Sequence, residues 1–224
     1  MPEPFRPLEN DLEPASARAG AGRAFGRRVA RVGRLGAPLA ALLGVFLVAG
    51  ASYELSGHGP PFRDAPPARY TGGFGEPTCV SCHFEGQLNQ SPGSVALVGL
   101  PEQYEAGKTY PVTVTLTRPG MKIAGFELSA RFESGGQAGT LEVLPEDKDQ
   151  IGVTTERDVQ YVHHLRPGTS RVVADTSRWT VRWTAPTTSG TVLLNVVGNA
   201  ADSDDSQAGD FIFSAEVRTR PQSR

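Results

Sequence analysis

The chain has 224 residues, among them 26 glycines and 18 prolines; 38% are hydrophobic and 21% charged. A single pair of cysteines excludes a disulfide-dense scaffold and a four-thiolate zinc or iron–sulfur site within one chain. A net charge of −2 excludes a generally basic nucleic-acid binder, so no nucleic-acid partner is expected.

Residues 1–34 carry seven arginines against four acids, and no acid interrupts the six between Ala15 and Arg34. A charge-free run, Leu35–Tyr53, follows. At ~1.5 Å per residue its nineteen residues span about 28 Å, close to the ~30 Å hydrocarbon core of a bilayer. Arginines before the run place the N-terminus in the cytoplasm by the positive-inside rule. The expectation is a basic cytoplasmic tail over 1–34 and a transmembrane signal anchor over 35–55. The protein is then single-pass in a bacterial inner membrane, with its body in the periplasm. Ala49-Gly50-Ala51 also fits a small-x-small cleavage site, which leaves open a removed signal peptide and a body released to the periplasm or surface.

Residues 56–74 are rich in Pro and Gly, including Pro60-Pro61 and Pro66-Pro67. They predict an extended, semi-rigid spacer between membrane and body.

Beyond it the chain alternates with period two. Val112, Val114 and Leu116 alternate with threonines; Phe126, Leu128, Ala130 and Phe132 alternate with Glu127, Ser129, Arg131 and Glu133. Trp179, Val181 and Trp183 repeat the pattern, as do Phe211, Phe213, Ala215 and Val217. Further strands are predicted over Ser94–Leu100, Thr140–Leu144, Val159–Leu165 and Gly190–Val197. Turn signals such as Arg118-Pro119-Gly120, Ser134-Gly135-Gly136 and Arg166-Pro167-Gly168 separate them. Eight short strands without intervening helices predict a mainly β fold, an immunoglobulin-like antiparallel β-sandwich over 94–218 with a polar tail over 219–224. Trp179 and Trp183 are expected in its core.

Just before the sandwich, within 75–93, stands Cys79-Val80-Ser81-Cys82-His83. Both cysteines of the chain lie three apart, and one of only four histidines follows directly. C-x-x-C-H is the attachment sequence of c-type haem: the two thiols add to the porphyrin vinyl groups and the histidine becomes the proximal iron ligand. Cys79, Cys82 and His83 are therefore the expected cofactor-binding residues for one covalent haem c per chain. A second axial ligand would come from His164, with His163 and Met121 ranked behind it and His58 in the linker. A thiol–disulfide redox site, a Cys79–Cys82 disulfide and a zinc site stay open as other uses of the motif. The acidic loop Asp202, Asp204, Asp205 with Asp210 offers carboxylates for calcium but lacks the glycine and final glutamate of a twelve-residue calcium loop. A solvated acidic turn is the expectation there.

Several segments together resemble a known family. They are Gly75-Glu76-Pro77-Thr78 running into the motif, Tyr104-Glu105-Ala106-Gly107-Lys108-Thr109-Tyr110, Gly125-Phe126-Glu127-Leu128, Tyr161-Val162-His163-His164, Trp183-Thr184-Ala185-Pro186, Gly198-Asn199-Ala200-Ala201 and Gly209-Asp210. In this order they look like the reeler-like domain of bacterial exported proteins, the kind called choice-of-anchor V, which frequently carries one CxxCH. The resemblance covers about Gly75 to Val217. It implies an immunoglobulin-like sandwich and an exported, membrane- or surface-attached protein, and it matches His164 to a family histidine. The family usually anchors at its C-terminus, whereas here the only anchor candidate is N-terminal.

Two functions are then in play. One is a membrane-anchored, exported monohaem c-type cytochrome, an electron carrier rather than a catalyst, serving redox protein partners that remain to be identified. The other is a cell-surface adhesion or interaction module whose CxxCH is a disulfide or a vestigial site.

Overall fold

Alternating apolar and polar residues favour strands, because only a strand sends successive side chains to opposite faces. The computed structural model describes residues 62–223. Among them lie ten strands: β1 Ser94–Val98, β2 Gln103–Tyr104, β3 Thr109–Thr117, β4 Ile123–Phe132, β5 Thr140–Val143, β6 Ile151–Glu156, β7 Val159–His164, β8 Thr176–Thr184, β9 Val192–Ala201 and β10 Phe211–Pro221. They build a four-stranded sheet in the order β1-β3-β8-β5 and a six-stranded sheet in the order β2-β10-β9-β4-β7-β6.

The two sheets share one buried core. Val112, Val114 and Leu116 of β3 and Trp179, Val181 and Trp183 of β8 join Phe126, Leu128 and Ala130 of β4 and Val192, Leu194 and Val196 of β9. Across the layers, the rings of Phe126 and Trp179 have centroids 4.7 Å apart. Both indoles are fully buried, and each satisfies its N–H on a carbonyl: Trp179 on Gly168 at 3.0 Å, Trp183 on Ala138 at 2.9 Å. The tryptophans are core residues, as alternation predicts.

All eight predicted strands are present, with shifted ends, and two more accompany them. β6 pairs with β7 through a two-residue turn, Arg157-Asp158, in which both residues have positive φ, 50° and 62°. That is the conformation a tight hairpin needs, reached here without Gly or Asn, so composition gave no turn signal. β2 is only two residues long and pairs parallel with the end of β10, Gln103 with Arg220 and Tyr104 with Pro221. This corrects two expectations. The sheets are not wholly antiparallel, and the tail predicted from 219 is strand up to Pro221, with Thr219 buried.

The spacer is corrected as well. Its described part, 62–74, lies folded on the outer face of the six-stranded sheet. On β4 that face carries Glu127, Ser129 and Arg131, all buried, and buried polar groups require partners. The N–H of Tyr70 donates to Glu127 Oε2 at 2.6 Å. Thr71 Oγ1 donates to Glu76 Oε2 at 2.7 Å, and Tyr161 Oη donates to Glu76 Oε1 at 2.6 Å. Arg131 reaches the same Oε1 at 2.5 Å. Burial alone would raise the Glu76 carboxyl, but hydrogen bonds from Tyr161, Arg131 and Thr71 outweigh it and hold the group below the usual carboxylate range. The glycines and prolines of this stretch thus shape a fitted cover.

Among the described residues no helix is long and apolar enough to cross a membrane. The predicted basic tail 1–34, the predicted span 35–55 and His58 lie outside the described residues.

Candidate functional site

Thr78 starts a short 3-10 turn over Cys79–Ser81, its Oγ1 accepting from the N–H of Val80 at 3.4 Å. The carbonyl of Cys79 then accepts from the N–H of Cys82 at 3.1 Å and of His83 at 2.8 Å. Both cysteines and the histidine are thereby closed on one turn, and both thiols are free. Burial, reinforced by the nearby Glu127 carboxyl, pushes the Cys79 thiol up to about 12. A thiol held protonated is a poor nucleophile, the opposite of the depressed thiol that thiol–disulfide enzymes use.

The His83 ring is tied to the far end of the chain. Its Nδ1 lies 2.6 Å from Oδ2 of Asp210, a buried residue immediately before β10. Asn199 of β9 donates its Nδ2 to the same oxygen at 3.3 Å. Two backbone links fasten the segment that follows. The N–H of Phe84 donates to Gln207 O at 3.1 Å and that of Asn89 to Ile212 O at 2.8 Å. Asn89 Oδ1 in turn accepts from the N–H of Ser214 at 2.8 Å. A carboxylate on Nδ1 keeps the ring proton there and leaves the lone pair on Nε2, the arrangement usual for a metal-bound histidine.

His164 is the last residue of β7, where the ladder to β4 has ended at the pair Glu127–His163. Its imidazole continues the pairing in place of backbone: the N–H of Phe126 donates to Nδ1 at 3.0 Å. The ring occupies the space over Gly125, where a Cβ would stand 2.5 Å from its Cε1. Burial drives its pKa down to about 4, so the ring is neutral at neutral pH.

Cys79, His83, His164, Asn199 and Asp210 line one cavity of about 210 Å³, walled also by Phe62 and Phe126. A second cavity of about 630 Å³ shares Cys79, His83 and the acidic-loop residues Asp205 and Ser206 with the first, among others, and adds Tyr70 and Cys82. Four predicted site residues, Cys79, Cys82, His83 and His164, are thus brought together. His163 and Met121 are not. Both His163 ring nitrogens are engaged, Nε2 with Thr154 Oγ1 and Nδ1 with His164 O, each at 3.0 Å. Met121 is buried in the core and lines a separate small cavity with Arg118 and Phe211.

The acidic loop folds into side-chain-capped turns. Asp202 Oδ1 accepts from the N–H of Asp204 at 3.2 Å, and Asp204 Oδ1 from that of Ser206 at 2.7 Å. Among the described residues no group of three or more His, Cys, Asp and Glu side chains is arranged to hold a metal ion. Asp210 leaves that loop to serve His83, a role its neighbours in sequence did not suggest. Asn199 and Gly125, which complete the site, stand among the segments of the family resemblance but had no role assigned.

The donor set fits a covalently held haem. It offers two unbridged thiols on one turn, a neighbouring imidazole with Nε2 uncommitted, and adjoining cavities walled partly by aromatic and proline side chains.

No family model matches the chain, and no curated protein matches it. Among solved structures it is similar to the human F-spondin reeler domain, at 22% identity over 61% of this chain and 95% of that one, TM-score 0.44. The Reelin-N domain of F-spondin is similar at 21% identity over 65% of this chain and 96% of that one, TM-score 0.45. A cohesin module from a Clostridium perfringens family 33 glycoside hydrolase is similar at 11% identity over 58% and 98%, TM-score 0.39.

Proposed function

We propose that this chain is an exported, membrane-anchored monohaem c-type cytochrome that transfers electrons through one covalently held haem. The observation that carries this reading is the His83–Asp210 pair beside two free thiols: it presents Nε2 of the motif histidine to the shared cavity. Cys79 and Cys82 would form the thioethers and His83 the proximal ligand, and bound haem would supply a one-electron couple. The chain's own contribution is positional. Asp210 and Asn199 orient the His83 ring, the turn at Thr78 gathers both cysteines and the histidine, and β9 and β10 carry the groups that hold the ring. An immunoglobulin-like sandwich of reeler type is the fold this reading places behind the site, with its outer surface left for redox partners.

The test is expression in a periplasm equipped with c-type maturation factors, followed by a haem-stained denaturing gel and a pyridine haemochrome. One covalent haem per chain is the expected result. A colourless product carrying a Cys79–Cys82 disulfide by mass would instead leave the second reading, a surface interaction module.

A further inference from the structure

The two imidazoles that share the cavity have opposite polarity, and this follows from what holds each one. His83 keeps its Nδ1 proton and donates it to the carboxylate of Asp210, at 2.6 Å the nearer of two partners, the Asn199 amide nitrogen standing 3.1 Å from the same Nδ1; its Nε2 then offers a lone pair. His164 is held the other way round. A backbone N–H can only donate, and that of Phe126 is directed at Nδ1 at 3.0 Å. Phe126 O stands 3.2 Å from the same Nδ1, but a proton on that nitrogen would collide with the amide proton. Nδ1 therefore accepts, and the proton of the neutral ring sits on Nε2. Among the described residues neither Nε2 has a hydrogen-bond partner, and both rings line the same cavity. An Nε2 that carries a proton is a donor and not a ligand for a metal.

We propose that His164 leaves the sixth iron position open and donates its Nε2–H to a small exogenous ligand, a diatomic molecule or small anion with an accepting atom, bound in the cavity it shares with His83. This rests on the haem reading above and deepens it, because a ligand site beside the haem goes beyond electron carriage. Gly125 belongs to the same device: with no Cβ it leaves room for the His164 ring. His163 cannot substitute, since both its nitrogens are engaged within β6 and β7.

The experiment uses the haem-loaded protein and azide as the probe. A pyridine haemochrome is recorded first, and the ferric protein is then titrated with azide as wild type, His164→Gln and His164→Leu, following the Soret band. The expected ferric wild type is not a low-spin bis-imidazole species, and it binds azide. His164→Gln, which keeps a donor, binds within about threefold of wild type, whereas His164→Leu binds about tenfold more weakly, the loss of one hydrogen bond. A low-spin bis-imidazole spectrum that His164→Gln converts to high spin overturns the proposal, because His164 is then a ligand. Equal azide affinity in all three proteins overturns it too. Absence of covalent haem in the first measurement overturns the haem reading itself, and the two failures are thereby told apart.

Discussion

Oδ2 of Asp210 lies 2.6 Å from Nδ1 of His83, across 127 residues of chain. The pair closes the site from both ends of the sandwich sequence, and Asp210 has no other side-chain partner among the described residues than Asn199. A carboxylate on the outer nitrogen of a metal-bound histidine makes the ligand more basic and favours the more oxidised metal. In the haem-loaded protein Asp210→Asn should therefore raise the midpoint potential. A tenfold change in relative ferric affinity corresponds to about 60 mV, and that is the expected size. Spectroelectrochemical titration checks it; an unchanged potential would mean the carboxylate does not tune the ring.

The two thiols are expected to act separately. Cys79→Ala and Cys82→Ala should each keep one thioether and red-shift the alpha band of the pyridine haemochrome, because one vinyl group stays conjugated. The double variant should lose haem on a denaturing gel. Full covalent retention in the double variant would show that attachment does not use this motif.

Glu127 sits fully buried under Tyr70, with Oε1 unpartnered. Burial is the main reason its pKa is pushed up to about 8, despite the hydrogen bond from Tyr70. An unfolded glutamate titrates near ~4.3. Between those values the folded chain holds a proton that the unfolded chain has released, so this group costs stability as pH rises and the cost levels off above about 8. Glu127→Gln cannot ionise. Its stability in urea relative to wild type should climb from pH 5 to about pH 8 and then level, by at most ~1.4 kcal/mol per pH unit. Parallel pH profiles for the two proteins would contradict this.

Gly125 makes room for His164, and Gly125→Ala places a methyl group against that ring. Overpacking of this kind typically costs ~1–3 kcal/mol. The displaced ring should also lose the Phe126 N–H, which faster amide exchange at Phe126 would report. Unaltered exchange together with unaltered stability would mean the ring rests elsewhere.

Much of the sandwich was legible because period two records which side of a strand meets the core. Val112, Val114, Leu116 and both tryptophans needed nothing further. The same alternation misjudged β4, since Glu127, Ser129 and Arg131 look like a solvated face and are buried beneath residues 62–78. Nothing local in a stretch of Pro and Gly says that it will fit onto a sheet. β6 escaped because Arg157-Asp158 reaches a hairpin conformation without the residues that usually announce one. Spacing alone singles out Cys79, Cys82 and His83 as candidates, and the resemblance His164; the structure brings these four to adjoining cavities. Asp210 was read as part of an acidic loop. Its pairing with His83 is a long-range contact, which no window along the chain can contain.

β10 is the last strand of the chain, and much depends on it. It pairs with β9 along nine residues, receives β2 at its far end and is gripped by Asn89, with Asp210 at its threshold. Synthesis runs from the N-terminus, so the Cys79–His83 turn exists long before the residue that orients its histidine. Any chain that stops before residue 210 carries the thiols and the imidazole without their anchor. The setting of His83 thus waits on residue 210 and on the strand that holds it.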